Sequence, residues 1–202
     1  MKILVPEELI PLIEKSIFDG SILDKLDGFM NSYSKREKFR KGTSWHIPTD
    51  EMIREIKKYS PILSVCSGYA YTESLLEKEG VDIVCTDIHP NKKNAWCMDG
   101  KFYTKVEELD AEEAVIKYNN RNVFMAWPPY NYDVAERVVK AMDKNKVLIY
   151  VGERSGGCTG NDNFFEYLNN NFEEIESDIS IPKWEGLHDN IYFYKKLNKI
   201  NF

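Results

Sequence analysis

The sequence predicts an α/β protein: an open, mostly parallel sheet of seven strands with helices on both faces, one of the last two strands antiparallel, and a helical N-terminal extension. Three observations predict it. From Pro61 onward, short apolar runs alternate with helix-period segments in five β-α units. The last two runs, 172–181 and 190–197, are joined without room for a crossover helix, so they pair as neighbours with one antiparallel to the rest. Residues 1–60 carry helical spacing only, which divides the chain into a 1–60 extension packed on the same domain and a 61–202 sheet domain.

Each element has its own signal. Pro6 suits a first helical turn, and Leu9, Ile10, Ile13 and Ile17 recur at helical spacing before Gly20. Ile22, Leu23, Leu26, Phe29, Met30 and Tyr33 form a second apolar stripe. Thr49 reads as the N-cap of a third helix through Tyr59, closed by Ser60-Pro61. "ILSVC" (62–66) is the first strand, followed by a helix ending at Glu79 with Gly80 as its stop. "VDIVCTD" (81–87) is the second and "FYTKV" (102–106) a weaker third; an acidic helix near 109–118 leads to "VFMAW" (123–127). Asp133 is placed to cap a helix carrying Val134, Ala135, Val138, Val139 and Met142. "KVLIYVG" (146–152) is the fifth strand, and a loop then leads to a helix with Phe164, Phe165 and Leu168.

At 202 residues, 43% hydrophobic and 30% charged, the chain suits one globular domain whose core needs no disulfide or metal staple. No apolar run approaches the roughly 20 residues that span a bilayer. The opening "MKILVPEELIPLIEK" is not a secretory signal, because acids and Pro6 interrupt its apolar stretch at once. Cys66, Cys85, Cys97 and Cys158 show no CxxC spacing, which favours reduced thiols in a cytoplasmic protein over a disulfide framework or zinc site. No cluster has metal-ligand spacing, so no metal is expected. A net charge of −6 argues against a nucleic-acid footprint. The local exception, "SKREKFRK" (34–41), has five basic residues and one acid; it reads as a solvated helix face or as a patch for an anionic substrate.

Ligands of open parallel sheets bind beyond the carboxyl ends of the strands, where strand order reverses. The first strand runs into Cys66-Ser67-Gly68-Tyr69-Ala70, and the small residues let backbone approach a ligand as the chain turns into a helix. The second strand ends at Asp87, 19 residues after Gly68 and just before Ile88. A carboxylate there can accept both hydroxyls of a ribose. The bland alternative is a tight turn with an incidental surface acid. A nicotinamide fingerprint would place glycines at 66, 68 and 71, where this chain has Cys, Gly and Tyr.

The pattern resembles motif I of class I S-adenosylmethionine-dependent methyltransferases: an acid, an apolar residue, then G-x-G-x-G. Cys66, Gly68 and Ala70 fill the three small positions. The resemblance implies a Rossmann-like domain with S-adenosylmethionine bound by Ser64, Cys66, Ser67, Gly68, Tyr69, Ala70, Asp87 and Ile88. Ser64 stands where that family usually has its acid, so recognition of the cofactor's ammonium group must be indirect or come from elsewhere; Glu73 and Asp99 are candidates by proximity in sequence.

The fourth strand stops in Trp127-Pro128-Pro129-Tyr130. This resembles the (Asn/Asp/Ser)-Pro-Pro-aromatic motif of amino-methylating branches, which implies catalytic positioning by these four residues. Prolines fix φ, so the loop cannot sag, and carbonyls freed from the sheet can accept hydrogen bonds. Tyr130 offers a flat face for a planar group or a cation. An indole N–H only donates, however, so Trp127 lacks the acceptor that amino-methylating enzymes carry there. From about Ser44 onward the chain is also similar to an uncharacterised methyltransferase-like family, on "SWHIPTDE", "TDIHP", "WPPYNYDVA", "VGERSGGCTGND" and "PKWEGLHDNIYFY".

Other candidates lie further along. "GERSGGCTG" (152–160) reads either as a substrate loop with Glu153 and Cys158 facing the site or as a long connection. Asn131 and His188 are candidate substrate contacts beside Tyr130, although His188 and Asp189, as neighbours on a strand, would point to opposite faces. His89 either flanks the adenine or serves a turn, and His46 reads as a packed structural histidine. The leading expectation is a methyltransferase acting on N or O of a small-molecule or side-chain acceptor, without nucleic acid or membrane as partner. The competing readings are an adenine-N6-type nucleic-acid methyltransferase and a catalytically silent cofactor-binding module.

Overall fold

The computed structural model describes residues 1–14, 33–89 and 102–198. Seven strands form one sheet: β1 (Ile62–Val65), β2 (Ile83–Asp87), β3 (Val106–Glu108), β4 (Asn122–Ala126), β5 (Val147–Gly152), β6 (Phe172–Ile175) and β7 (Asn190–Lys196). Their order is β3-β2-β1-β4-β5-β7-β6. Pairing is parallel except at β7, which runs antiparallel to both β5 and β6. The order reverses between β1 and β4, with Val65 beside Met125 at their carboxyl ends, and the crevice that such a reversal opens lies there.

The helices are α1 (Ile10–Glu14, after a 3-10 turn Glu7–Leu9), α2 (described over 33–40), α3 (Asp50–Lys57), α4 (Tyr71–Lys78), α5 (Ala111–Lys117), α6 (Val134–Ala141) and α7 (Asp162–Asn171). The central strands are apolar on both faces, and alternate residues feed opposite layers. Leu63, Val65, Val123, Met125, Leu148 and Tyr150 pack with the core-facing residues of α5, α6 and α7. Ile62, Phe124, Ile149 and Val151 pack with Met52, Ile53 and Ile56 of α3 and Leu76 of α4. A third, smaller cluster joins Ile13, Phe39 and Ile47 to Trp184. The N-terminal segment is also tied down by the Ile3–Thr49 bridge. Thr49 caps α3, its hydroxyl accepting the Met52 N–H at 3.2 Å. Among the described residues no helix is long and apolar enough to cross a membrane.

Three expectations shift. The third strand forms at Val106–Glu108 rather than 102–106, because Phe102 packs against Tyr69 and Tyr103 meets Tyr71 edge-on instead of joining the ladder. The sixth strand ends at Ile175; Ile179 and Ile181 reach the core from irregular backbone, and the Ile181 N–H bonds the Asn190 side chain. Asp133 precedes α6 but makes no cap, pairing instead with Arg137 at 3.4 Å. Most of the second apolar stripe lies outside the described residues.

One polar interaction closes the far end of α6. Lys196, 9% exposed on β7, donates from Nζ to the carbonyls of Val139 (2.9 Å), Lys140 (2.9 Å) and Met142 (2.5 Å). A cation on the last carbonyls satisfies orphan acceptors and complements the helix dipole. Lys196→Met should therefore lower unfolding free energy by about 2 kcal/mol, read by urea denaturation, since it strands several carbonyls in a half-dry setting.

Candidate functional site

The turn leaving β1 makes the floor of the crevice. Cys66 (φ 53°), Gly68 (φ 52°) and Ala70 (φ 53°) are all left-handed. These are the three small positions of the motif, and a Cβ there costs roughly 1–2 kcal/mol per residue. Hydrogen bonds to β2 hold the strained loop in place. The Ser67 N–H donates to the Thr86 carbonyl at 3.1 Å, and the Thr86 N–H donates to Ser67 Oγ at 3.2 Å. Asp87 Oδ2 accepts the Gly68 N–H (3.1 Å) and Oδ1 the His89 N–H (3.0 Å). Burial pushes the Cys66 thiol up to about 12, so it stays protonated and is no nucleophile.

Behind this turn lies a buried acid. Ser64 Oγ donates to Glu73 Oε1 at 2.6 Å, with Ser64 1% and Glu73 4% exposed. Burial raises the Glu73 carboxyl to about 7, against a smaller lowering from the Ser64 bond. Asp99, the other candidate acid, is outside the described residues.

The end of β4 makes the opposite wall. Trp127 is left-handed (φ 51°) and donates its N–H to the Val151 carbonyl at 2.7 Å. Its indole N–H donates to Asp189 Oδ2 at 3.1 Å. Burial raises the Asp189 carboxyl to about 6, although the Trp127 bond lowers it. Trp45 stacks on Trp127 (centroids 5.5 Å, planes 19° apart), and the Arg40 guanidinium lies 4.4 Å from the Trp45 ring. Glu37 holds Arg40 through Oε1 at 2.6 Å from Nε. The Pro128 carbonyl accepts the Gly160 N–H at 3.3 Å, tying the Pro-Pro loop to the loop after β5.

Between these walls is a cavity of about 400 Å³. Cys66, Ser67, Gly68, Tyr69, Asp87 and Ile88 line it from β1 and β2, and Trp127 and Pro129 from β4. Ser64 reaches it through Glu73, which is itself a lining residue. Ala70, Pro128, Tyr130, Asn131, Glu153 and His188 are not among the lining residues. Glu153 is a brace: its Oε2 accepts the Cys158 N–H and its Oε1 the His188 N–H, each at 2.7 Å. The His188 side chain is 88% exposed and Asp189 is buried, so the two form no dyad. Tyr130 points to solvent at 54% exposure, and Tyr132 is the aromatic at the rim.

Several lining residues lie outside the cofactor and substrate candidates that the sequence offers. Thr43, Ser44 and Trp45 come from the segment before α3, and Asp110 and Arg137 from α5 and α6. His46 also lines the cavity; its Nε2 meets Thr72 Oγ1 at 2.8 Å, and burial drives its pKa down to about 3, which keeps the ring neutral. Arg137 bridges Asp110 with two bonds of 3.0 and 3.2 Å. Among the described lining residues the carboxylates Glu73, Asp87, Asp110 and Asp133 face one guanidinium, Arg137, so the cavity favours a cationic occupant.

The chain matches no family model and no curated protein sequence. The narrower resemblance, to an uncharacterised methyltransferase-like family with a WPPY motif, therefore rests on the quoted sequence motifs alone. Solved structures share the fold. Magnesium protoporphyrin IX methyltransferase from Synechocystis PCC 6803, solved with bound SAM, superposes with TM-score 0.52 at 9% identity over 96% of this chain and 99% of its own. The 1,6-didemethyltoxoflavin-N1-methyltransferase of Burkholderia thailandensis, solved with S-adenosylhomocysteine, gives TM-score 0.51 at 9% identity over 96% and 92%. The fold is the Rossmann-like fold of these methyltransferases.

The Glu73 environment gives the protein a pH signature. Its carboxyl rises from 4.5 when unfolded to about 7 when folded, so the folded state binds the extra proton between those values. Stability is then highest below pH 4.5 for this group and falls as pH rises through 7. Between pH 5.5 and 8 wild type should lose about 2 kcal/mol more than Glu73→Gln, measured by urea unfolding at the two pH values.

Proposed function

We propose that the protein is an S-adenosylmethionine-dependent methyltransferase of the cytoplasm, transferring to N or O of a small-molecule or side-chain acceptor. The observation that carries this reading is the convergence at the β1/β4 reversal. Three left-handed small residues, the Asp87 carboxylate and a cavity rich in carboxylates meet there. The residues present fit the cofactor. Asp87, already anchored by two backbone N–H groups, would take the ribose hydroxyls, and the 66–70 backbone would pass close to the amino-acid end. Ile88 and Leu109 offer apolar surface for the adenine, with Asp110 at its edge. The cofactor, when bound, supplies a methyl group on a sulfonium cation. The chain itself needs to hold the acceptor in line and keep water out.

On the acceptor side, Trp127, Pro129 and Tyr132 give an apolar, aromatic boundary. Two observations favour a small-molecule or side-chain acceptor over a nucleic-acid amine. The Trp127 indole can only donate, and its single N–H is taken by Asp189, so its side chain has no acceptor to offer an exocyclic amine. The Pro128 carbonyl already accepts from Gly160. The acid at Glu73 counts against a silent module, because a carboxylate does stand next to Ser64.

Calorimetric titration with S-adenosylmethionine and S-adenosylhomocysteine tests the reading. Wild type should bind both, and Asp87→Ala should weaken each by about 30-fold or more, because two hydrogen bonds to a charged acceptor are lost. Absence of binding by wild type would refute the proposed activity.

A further inference from the structure

We propose that Glu73, presented by α4 and hydrogen-bonded by Ser64, is the anion that receives the amino group of the cofactor's amino-acid end. The acid has thus moved from strand β1 to the facing helix. This inference rests on the methyltransferase reading and names the residue that completes its ammonium subsite.

The geometry begins with α4. Its core-facing residue Leu76 packs under the sheet with Ile62 and Phe124. Glu73 lies three residues earlier on the same stripe, one turn nearer the carboxyl end of β1. Its side chain is therefore directed at the sheet rather than at solvent, and it meets Ser64 there at 2.6 Å. The hydroxyl is too short to replace a carboxylate at position 64, but it can fix one that arrives from the helix. Ser67 Oγ extends the chain to Ser64 Oγ at 2.9 Å, so the turn is keyed to the same pair.

The second observation is what Glu73 lacks. A buried carboxylate is costly unless a cation or several donors accompany it. Among the described residues the leading charge effects on Glu73 come from Asp87 on β2 and Glu77 on its own helix, both negative, and nearby Cys85 stays a neutral thiol. Beyond the Ser64 hydroxyl its support is its own backbone N–H. Glu73 lines the cavity, so the missing positive partner can enter from there. A primary ammonium suits that place: it is compact, carries three donors and can use Glu73 while its neighbouring atoms rest on the 66–70 turn.

The test compares two adenosine thioethers that share the nucleoside and differ in the amino-acid arm. S-adenosylhomocysteine has the arm, and 5′-methylthioadenosine lacks it. Calorimetry on wild type, Glu73→Gln and Ser64→Asp/Glu73→Gln gives the dissociation constants. Glu73→Gln should weaken S-adenosylhomocysteine about tenfold or more and leave methylthioadenosine unchanged, the second ligand certifying an intact nucleoside pocket. The double variant, with an acid restored on the strand, should regain much of the loss. Unchanged affinity for S-adenosylhomocysteine in Glu73→Gln overturns the proposal. So does an equal loss for both ligands, which would make Glu73 a support of the fold. Failure of wild type to bind either ligand removes the methyltransferase reading itself.

Discussion

The chain must reverse at the end of β1 and enter α4 within five residues, Cys66 to Ala70, and the site hangs on that turn. Three of the five are left-handed, and the two that carry a Cβ, Cys66 and Ala70, store about 2–4 kcal/mol that neighbouring flexibility would release. Bonds from both sides prevent this. Thr86 and Asp87 on β2 hold Ser67 and Gly68, and Ser64 on β1 accepts from Ser67 Oγ. Because Ala70 is left-handed and makes no side-chain cap, α4 starts directly at Tyr71. That early start puts Glu73 in the first turn and within reach of Ser64. Loop strain, helix phase and buried acid are consequences of one backbone path.

The opposite wall is held by a different kind of chain. Glu37, Arg40, Trp45, Trp127 and Asp189 touch in sequence, alternating ion pair, cation-π contact, ring stack and hydrogen bond. It joins α2 to the start of β7 across the end of β4. The small core of Ile13, Phe39, Ile47 and Trp184 lies under the same N-terminal segment. The described N-terminal residues thus serve the cavity as well as the hydrophobic core: Thr43, Ser44, Trp45 and His46 are part of its lining.

What the sequence showed, and what it hid, follows from the range of the interactions. β1, β4 and β5 are buried on both faces, so their continuous apolar runs are legible without knowledge of partners. Cys66, Gly68, Ala70 and Asp87 are legible because small size and a strand-end carboxylate are local properties. Phe102 and Tyr103 mislead for the same reason: their strand-like character reflects packing on Tyr69 and Tyr71, which local composition cannot distinguish from pairing. His46 is legible as a packed histidine, but its place on the cavity, like those of Trp45 and Arg137, depends on contacts with residues 26 to 82 positions away. That Glu73 meets Ser64 depends on helix phase as well as spacing, and phase becomes definite only once Ala70 fixes where α4 begins.

The stiff stop at Trp127-Pro128-Pro129 can now be given a physical purpose. A left-handed tryptophan is strained, and its persistence requires that surrounding contacts over-determine it. Those contacts are present: the backbone N–H is bound to Val151, the indole N–H to Asp189, and the ring face to Trp45. Pro128, buried immediately after, removes a torsion that would let the strain relax, and its carbonyl is pinned by Gly160. The stop therefore fixes an indole plate where the amino-methylating motif presents a hydrogen-bond acceptor. A plate orients by shape and exclusion of water, whereas an acceptor orients by recognising a proton.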